Sequence, residues 1–170
     1  MKFNIDIQRC LSTWILVGLM CIGPVASAAN ATAPLQEFTP DSLTQLIRSQ
    51  EGQAFVLVVW SLDCEFCQSS LTTLAHMRRR HPQLRIVTLA TEQLADPKAA
   101  RMIRLKLAKL GLTQQAWVFG SAPPEQLRYA IDPQWRGEMP RSYWFDGHGG
   151  VRPQSGVIVE KVVAQFIGRQ

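Results

Sequence analysis

A continuous apolar run rich in β-branched residues, Phe55 to Trp60, is followed within four residues by Cys64, and Cys67 comes three residues later. The run has strand length and no polar alternation, which is the pattern of a central strand buried on both faces. Past the cysteines the period changes. Leu71, Leu74 and Ala75 repeat with helical spacing, and His81-Pro82 closes that pattern. The cysteine pair therefore stands at a junction where a buried strand turns directly into a helix. Few chains meet that requirement outside the α/β class.

Four cysteines occur in the chain, but two of them lie in a segment with the marks of an export signal. Lys2 and Arg9 supply a positive start, Leu11 to Val25 is almost wholly apolar, and Ala26-Ser27-Ala28 has the small-x-small form of a cleavage site. Gly18, Gly23 and Pro24 interrupt the apolar run, which leaves it short for a membrane span. An uncleaved membrane anchor is the competing reading. Met20 stands before Cys21, where a lipoprotein signal needs a small residue, so that reading is excluded. The expected organisation is a signal peptide over 1–28, a flexible lead-in over 29–38 and one folded domain over 39–170. Removal of the signal takes Cys10 and Cys21 with it. Cys64 and Cys67 then form a single close pair. A loop that small staples almost nothing, so the pair is expected to act chemically in an oxidising compartment.

Strand and helix patterns alternate along the rest of the chain. Thr39-Pro40-Asp41 reads as a helix start, with Leu43, Leu46 and Ile47 as the apolar face and Gly52 at its end. Leu84 to Leu89 is a second buried strand. Asp96-Pro97 opens a helix with Ile103, Leu107 and Leu110 inward and Gly111 as its stop. Ala116 to Phe119 is a short strand, and Pro123 to Ile131 a short helix. Ser142 to Phe145 and the residues from Val151 flank the turn Asp146-Gly147-His148-Gly149-Gly150. Val159, Val162, Val163, Phe166 and Ile167 mark a last helix. This order predicts a mixed sheet, parallel through its crossovers, with an antiparallel hairpin at one edge. The formal charge of +5 favours acidic partners slightly. With no basic stripe interleaved with aromatics it argues poorly for nucleic acid. The run Arg78-Arg79-Arg80-His81 falls at a helix end, where it either complements the dipole or forms a functional patch.

A Cys-x-x-Cys pair serves metal binding or dithiol redox chemistry. Structural zinc needs a second pair of ligands, and His76, His81 and His148 do not provide one by spacing. At a helix N-terminus, free N–H groups and the dipole favour a thiolate at Cys64. Cys67 lies one turn further in, within disulfide reach. Cys64 is thus the expected attacking sulfur and Cys67 the resolving one, with no cofactor and no metal. Trp117, Trp135 and Trp144 read as core or groove wall.

The segment from Val58 to Cys67 resembles the active-site strand and helix of the thioredoxin superfamily, including a Trp four residues before the first Cys. The order of elements resembles the exported TlpA/ResA-like branch of thiol–disulfide oxidoreductases, with its helix-strand-helix insertion here over roughly 97–131. Asp132 to Arg141 resembles the approach to that family's cis-proline loop, and the glycine-rich turn at 146–150 resembles its hairpin turn. The likeness spans about residues 38–168. It implies an α/β thioredoxin fold, a cis Pro140, a substrate groove that includes Trp60, Met139 and Pro140, and a periplasmic location. The competing readings are a Pro140 that starts an edge strand in trans, and a Trp60 that is plain core. The resemblance further implies a monomer acting on disulfide-bearing exported proteins, fed by a DsbD-like membrane thiol donor if it is a reductase.

This chain departs from the family at four positions. Val58 stands where many members keep a buried Asp, Ser70 where the branch often has Glu, Phe66 where Pro is common, and Asp63 where many relatives place Trp. Acids therefore flank Cys64 as Asp63 and Glu65. They read either as proton relays or as solvated charges at a helix start. Arg141 is a further candidate modulator. The leading expectation is a thiol–disulfide oxidoreductase, more readily a reductase than an oxidant. The alternatives are a copper metallochaperone using Cys64, Cys67 and Met139, or a cytochrome-assembly thiol factor.

Overall fold

A computed structural model describes residues 34–169. The expected signal segment and the first half of the lead-in, residues 29–33, lie outside the described residues. Within them the order is β1 (Gln36–Phe38), α1 (Ser42–Arg48), β2 (Phe55–Trp60), α2 (Glu65–Arg80), β3 (Arg85–Gln93), α3 (Pro97–Leu110), β4 (Ala116–Phe119), α4 (Pro124–Ile131), β5 (Arg141–Phe145), β6 (Val151–Ser155) and α5 (Glu160–Ile167). The six strands form one sheet in the order β1-β4-β3-β2-β5-β6. β1, β4, β3 and β2 run parallel, and the β5–β6 hairpin joins β2 antiparallel.

The period-2 geometry of β2 divides the core in two. Val56, Val58 and Trp60 face Leu71 and Leu74 of α2, Ile103 and Leu107 of α3, and Val163 and Phe166 of α5. Phe55, Leu57 and Val59 face the other way, toward Leu46 of α1 and Leu127 and Ile131 of α4. All six residues of β2 are buried, as a central strand requires. Helices thus cover both faces, and the long parallel connections follow from that layering.

Local signals set several boundaries. The Asp96 carboxylate accepts from the amides of Lys98 and Ala99, and Gly111 ends α3 in the left-handed conformation at φ 71°. Elsewhere the structure corrects the sequence reading. Thr39 does not cap α1. The Thr39 amide donates to Ser42 Oγ at 2.8 Å within a turn, and the helix starts at Ser42 and stops at Arg48, short of Gly52. Ile47 and Val159 are exposed and do not belong to apolar faces, whereas Ile158, just before α5, is fully buried. Residues 36–38 are not lead-in but an edge strand paired with β4. Three residues are too few to display a period, which is why the sequence conceals them. The arginine run is divided among neighbours. Arg78 donates to Gly111 O and Gln114 Oε1, and Arg80 lies 3.5 Å from Glu160.

Candidate active site

The carboxyl ends of parallel strands are where open α/β sheets place their sites, and the chemistry-bearing residues collect there. β2 ends at Trp60, and Ser61, Leu62 and Asp63 lead to Cys64, the N-cap of α2. Cys64 is bonded to Cys67, with Cα atoms 5.2 Å apart. Cys64 is partly exposed, while Cys67 is wholly buried against the core. The Cys67 amide also donates to Cys64 Sγ at 3.1 Å. That donor, with the rest of the first helical turn, points its positive end at the outer sulfur.

Three side chains hold the loop ahead of Cys64. Ser61 Oγ donates to Asp63 Oδ1 at 2.6 Å. Gln68 Nε2 donates to the carbonyls of Ser61 and Leu62. From β3, Glu92 Oε1 accepts from the Leu62 amide at 2.6 Å, and Glu92 Oε2 is buried without a partner. Neither Glu92 nor Gln68 was evident as a site residue beforehand. The available signal for Glu92 is an acid near the carboxyl end of a strand whose middle is buried. With Val58 in the core, a carboxylate reaches the loop from β3 instead of β2. Ser70 is fully buried one turn after Cys67. It donates to Phe66 O and accepts from the Ile158 amide, which ties α2 to the start of α5. A hydroxyl is the group that fits there.

Pairing of Val59 with Arg141 sets Pro140 beside the end of β2. The Met139–Pro140 bond is cis. Pro140 is buried, and its carbonyl accepts from the Gly156 amide at 2.9 Å. Met139 is half-buried and packs against both core clusters. Trp60 differs from expectation: it is completely buried in the same cluster as Cys67, so it supports the pair from beneath and offers no surface to a groove. Asp63 and Glu65 are both exposed, and so is Phe66 between the cysteines, at 64%.

Arg141 is likewise not a free modulator of the sulfurs. Its guanidinium donates to Asp132 Oδ2 at 2.8 Å, Glu138 Oε1 at 3.2 Å and Ser155 Oγ at 2.7 Å. Tyr143 donates its hydroxyl to the same Asp132 oxygen at 3.2 Å. Burial alone would raise the Asp132 carboxyl, but the Gln134 amide, Arg141 and Tyr143 outweigh it and hold it below the usual range. The Ser155 hydroxyl, against a smaller opposing effect of burial, does the same for Glu138. Burial pushes the Tyr143 hydroxyl far above its ordinary value, so it stays protonated. This network fastens both ends of the 132–141 loop and thereby positions Met139 and Pro140. Among the described residues, no group of three His, Cys, Asp or Glu side chains converges as a metal site.

No family model matches this sequence, and no curated protein does. Solved structures do. A DsbF homologue from Corynebacterium diphtheriae superposes with TM-score 0.58 at 12% identity, over 73% of this chain and 76% of its own. A thioredoxin-family thiol:disulfide interchange protein from Chlorobium tepidum gives 0.55 at 16%, over 71% and 81%. A secreted Mycobacterium tuberculosis disulfide oxidoreductase homologous to Escherichia coli DsbE gives 0.54 at 15%, over 72% and 86%. At these identities the likeness is one of fold, and the fold is that of thioredoxin, with a mixed six-stranded sheet flanked by helices.

Proposed function

We propose that the protein is an exported thiol–disulfide oxidoreductase that works on other proteins, with Cys64 attacking and Cys67 resolving. The observation that carries this reading is the asymmetry of the pair: a reachable sulfur at a helix N-terminus, bonded to a buried one three residues on. In the reducing direction, the Cys64 thiolate attacks one sulfur of a partner disulfide. That bond breaks, a mixed disulfide forms, and the other partner sulfur leaves as a thiolate. The Cys67 thiolate then attacks Cys64 Sγ, releases the second partner thiolate and closes the Cys64–Cys67 bond. Two electrons pass from the pair to the partner. Met139, at the cis bond beside the end of β2, is the backbone that would pair with the partner segment as an added strand.

Charge supports the reducing direction. A stabilised thiolate makes a pair oxidising. Here the helix N-terminus favours the thiolate, while exposed Asp63 and Glu65 oppose it. The guanidinium of Arg141 is engaged by two carboxylates and adds nothing. The potential is therefore expected nearer ~−270 mV than ~−120 mV, the values of thioredoxin and of strong periplasmic oxidants. Such a pair needs a thiol donor outside the cytoplasm, and a DsbD-like membrane donor supplies that chemistry.

Redox equilibration with glutathione or dithiothreitol tests both points. A potential near ~−120 mV would overturn the reductase direction. Failure to equilibrate with either thiol would overturn the exchange reading itself. Asp63→Asn removes one opposing charge and should move the potential toward oxidising values; a shift the other way would remove Asp63 from the argument. A parallel Cu(I) titration separates the copper-carrier alternative, which requires tight stoichiometric binding by the reduced pair.

A further inference from the structure

The outer face of α3 carries an arrangement that the fold does not require. The helix buries Ala99, Ala100, Ile103 and Leu107. Its five cations, Lys98, Arg101, Arg104, Lys106 and Lys109, are accompanied by no acid within the helix. None of the five forms an ion pair among the described residues. Between them Met102 and Leu105 are exposed at 47% and 61%. A merely solvated helix face has little reason to hold large apolar side chains among like charges.

Four of these side chains border a groove. Met102, Leu105, Lys106 and Lys109 form one side, Leu62 and Gln68 the other, of an open, shallow groove of about 440 Å³. Leu62 lies two residues before Cys64 and Gln68 directly follows Cys67. Gln68 donates to the carbonyls of Ser61 and Leu62, so that wall is fixed to the cysteine loop. One wall of the groove is thus built from the same loop and helix that carry the cysteines.

We propose that this groove receives a segment of the partner protein that carries an apolar side chain flanked by carboxylates, close to the cysteine being exchanged. The proposal rests on the thiol-exchange reading and names its substrate class. The apolar side chain would cover Leu62, Met102 and Leu105, and the carboxylates would meet Lys106 and Lys109 at the rim. Asp63 and Glu65 repel carboxylates from the sulfur itself. The favoured segment therefore has its acids offset toward α3, with a neutral or basic residue at the cysteine. An anionic bilayer would also attract five cations, but it gives no reason for the opposite side of the groove to be Leu62 and Gln68, next to the cysteines.

The test compares reduction of two synthetic disulfide-bridged peptides that differ only in their flank, Glu-Leu-Glu or Lys-Leu-Lys. Each protein's rates are normalised to its own exchange with the small neutral 2-hydroxyethyl disulfide. The acidic peptide should react at least about fivefold faster, and the preference should fade as salt approaches ~1 M, where the Debye length is about 3 Å. Lys106→Glu/Lys109→Glu should reverse the preference, and Leu105→Ser should slow both peptides without changing their ratio. Equal rates for the two peptides would overturn the proposal and leave thiol exchange standing, whereas no exchange with any of the three disulfides would overturn the exchange reading. Co-sedimentation with phosphatidylglycerol vesicles, abolished by the same charge reversal and accompanied by no peptide preference, would assign the face to a membrane and overturn the proposal.

Discussion

Cys64 and Cys67 are three residues apart, yet only Cys64 can be reached from solvent. The difference comes from helix geometry: one turn carries Cys67 from the cap into the cluster with Leu71 and Trp60. Mixed disulfides with partner proteins should therefore accumulate through Cys64 in Cys67→Ser, where the resolving thiol is missing. Cys64→Ser should trap few. Non-reducing gels of the two variants measure this, and equal trapping by both would contradict the assignment. Glu92 acts on the same loop through one bond, from the Leu62 amide to a carboxylate with a second oxygen buried and unpartnered. Removing the acceptor in Glu92→Ala should cost about 1 kcal/mol, because the loss of a charge-assisted bond is partly offset by relief of the buried oxygen. The Leu62 amide should lose its protection from hydrogen exchange in that variant. Retained protection would mean that Gln68 and Ser61 hold the loop without it.

At the scale of elements, the 132–141 loop is fastened by ion pairs as well as by the buried Trp135. Arg141 and Asp132 have side chains only 12% and 17% exposed, so the pair is largely shielded from screening. Arg141→Met leaves the Asp132 carboxylate without its cation and should destabilise the protein by about 2 kcal/mol at neutral pH. The sign of the pH dependence follows from the lowered carboxyls. Asp132 and Glu138 titrate below their ordinary values in the folded protein, so their stabilisation is complete above the unfolded range near pH 4. It is lost as pH falls through the folded values. Denaturant titrations should show the gap between wild type and Arg141→Met closing as pH drops below ~4. A gap that stays constant into strong acid would mean that Arg141 acts by packing alone.

Across the whole molecule, the sheet order brings the ends of β2 and β3 and the start of β5 together at one rim. The loop that leads to Cys64 and the cis Met139–Pro140 bond lie there. Among the described residues no helix is long and apolar enough to cross a membrane. We propose that residues 1–28 are removed on export. N-terminal sequencing of the protein from periplasmic material should then begin at Ala29, and a membrane-bound product beginning near Met1 would refute processing.

Much of this architecture was legible in the chain because its signals are local. A strand of six apolar residues, an Asp-Pro helix start, a left-handed glycine stop and a cysteine at a strand-to-helix junction each act within a few residues. They emerge from periodicity and capping alone. The sequence by itself therefore determined the order of elements from β2 onward and the placing of the cysteine pair at a strand-to-helix junction. It could not determine what those elements meet. Trp60 stands one residue before the loop, and whether it lines a groove or lies beneath the cysteines depends on α2 packing over it. Arg141 adjoins Pro140, yet its charge is engaged by Asp132, nine residues away, because the loop folds back on β5. Glu92 reaches Leu62 across thirty residues because β3 pairs in register with β2. β1 becomes a strand only because β4 supplies its hydrogen bonds. Such partnerships arise from strand register and layer packing, which bring distant segments together, and so only the tertiary structure decided them.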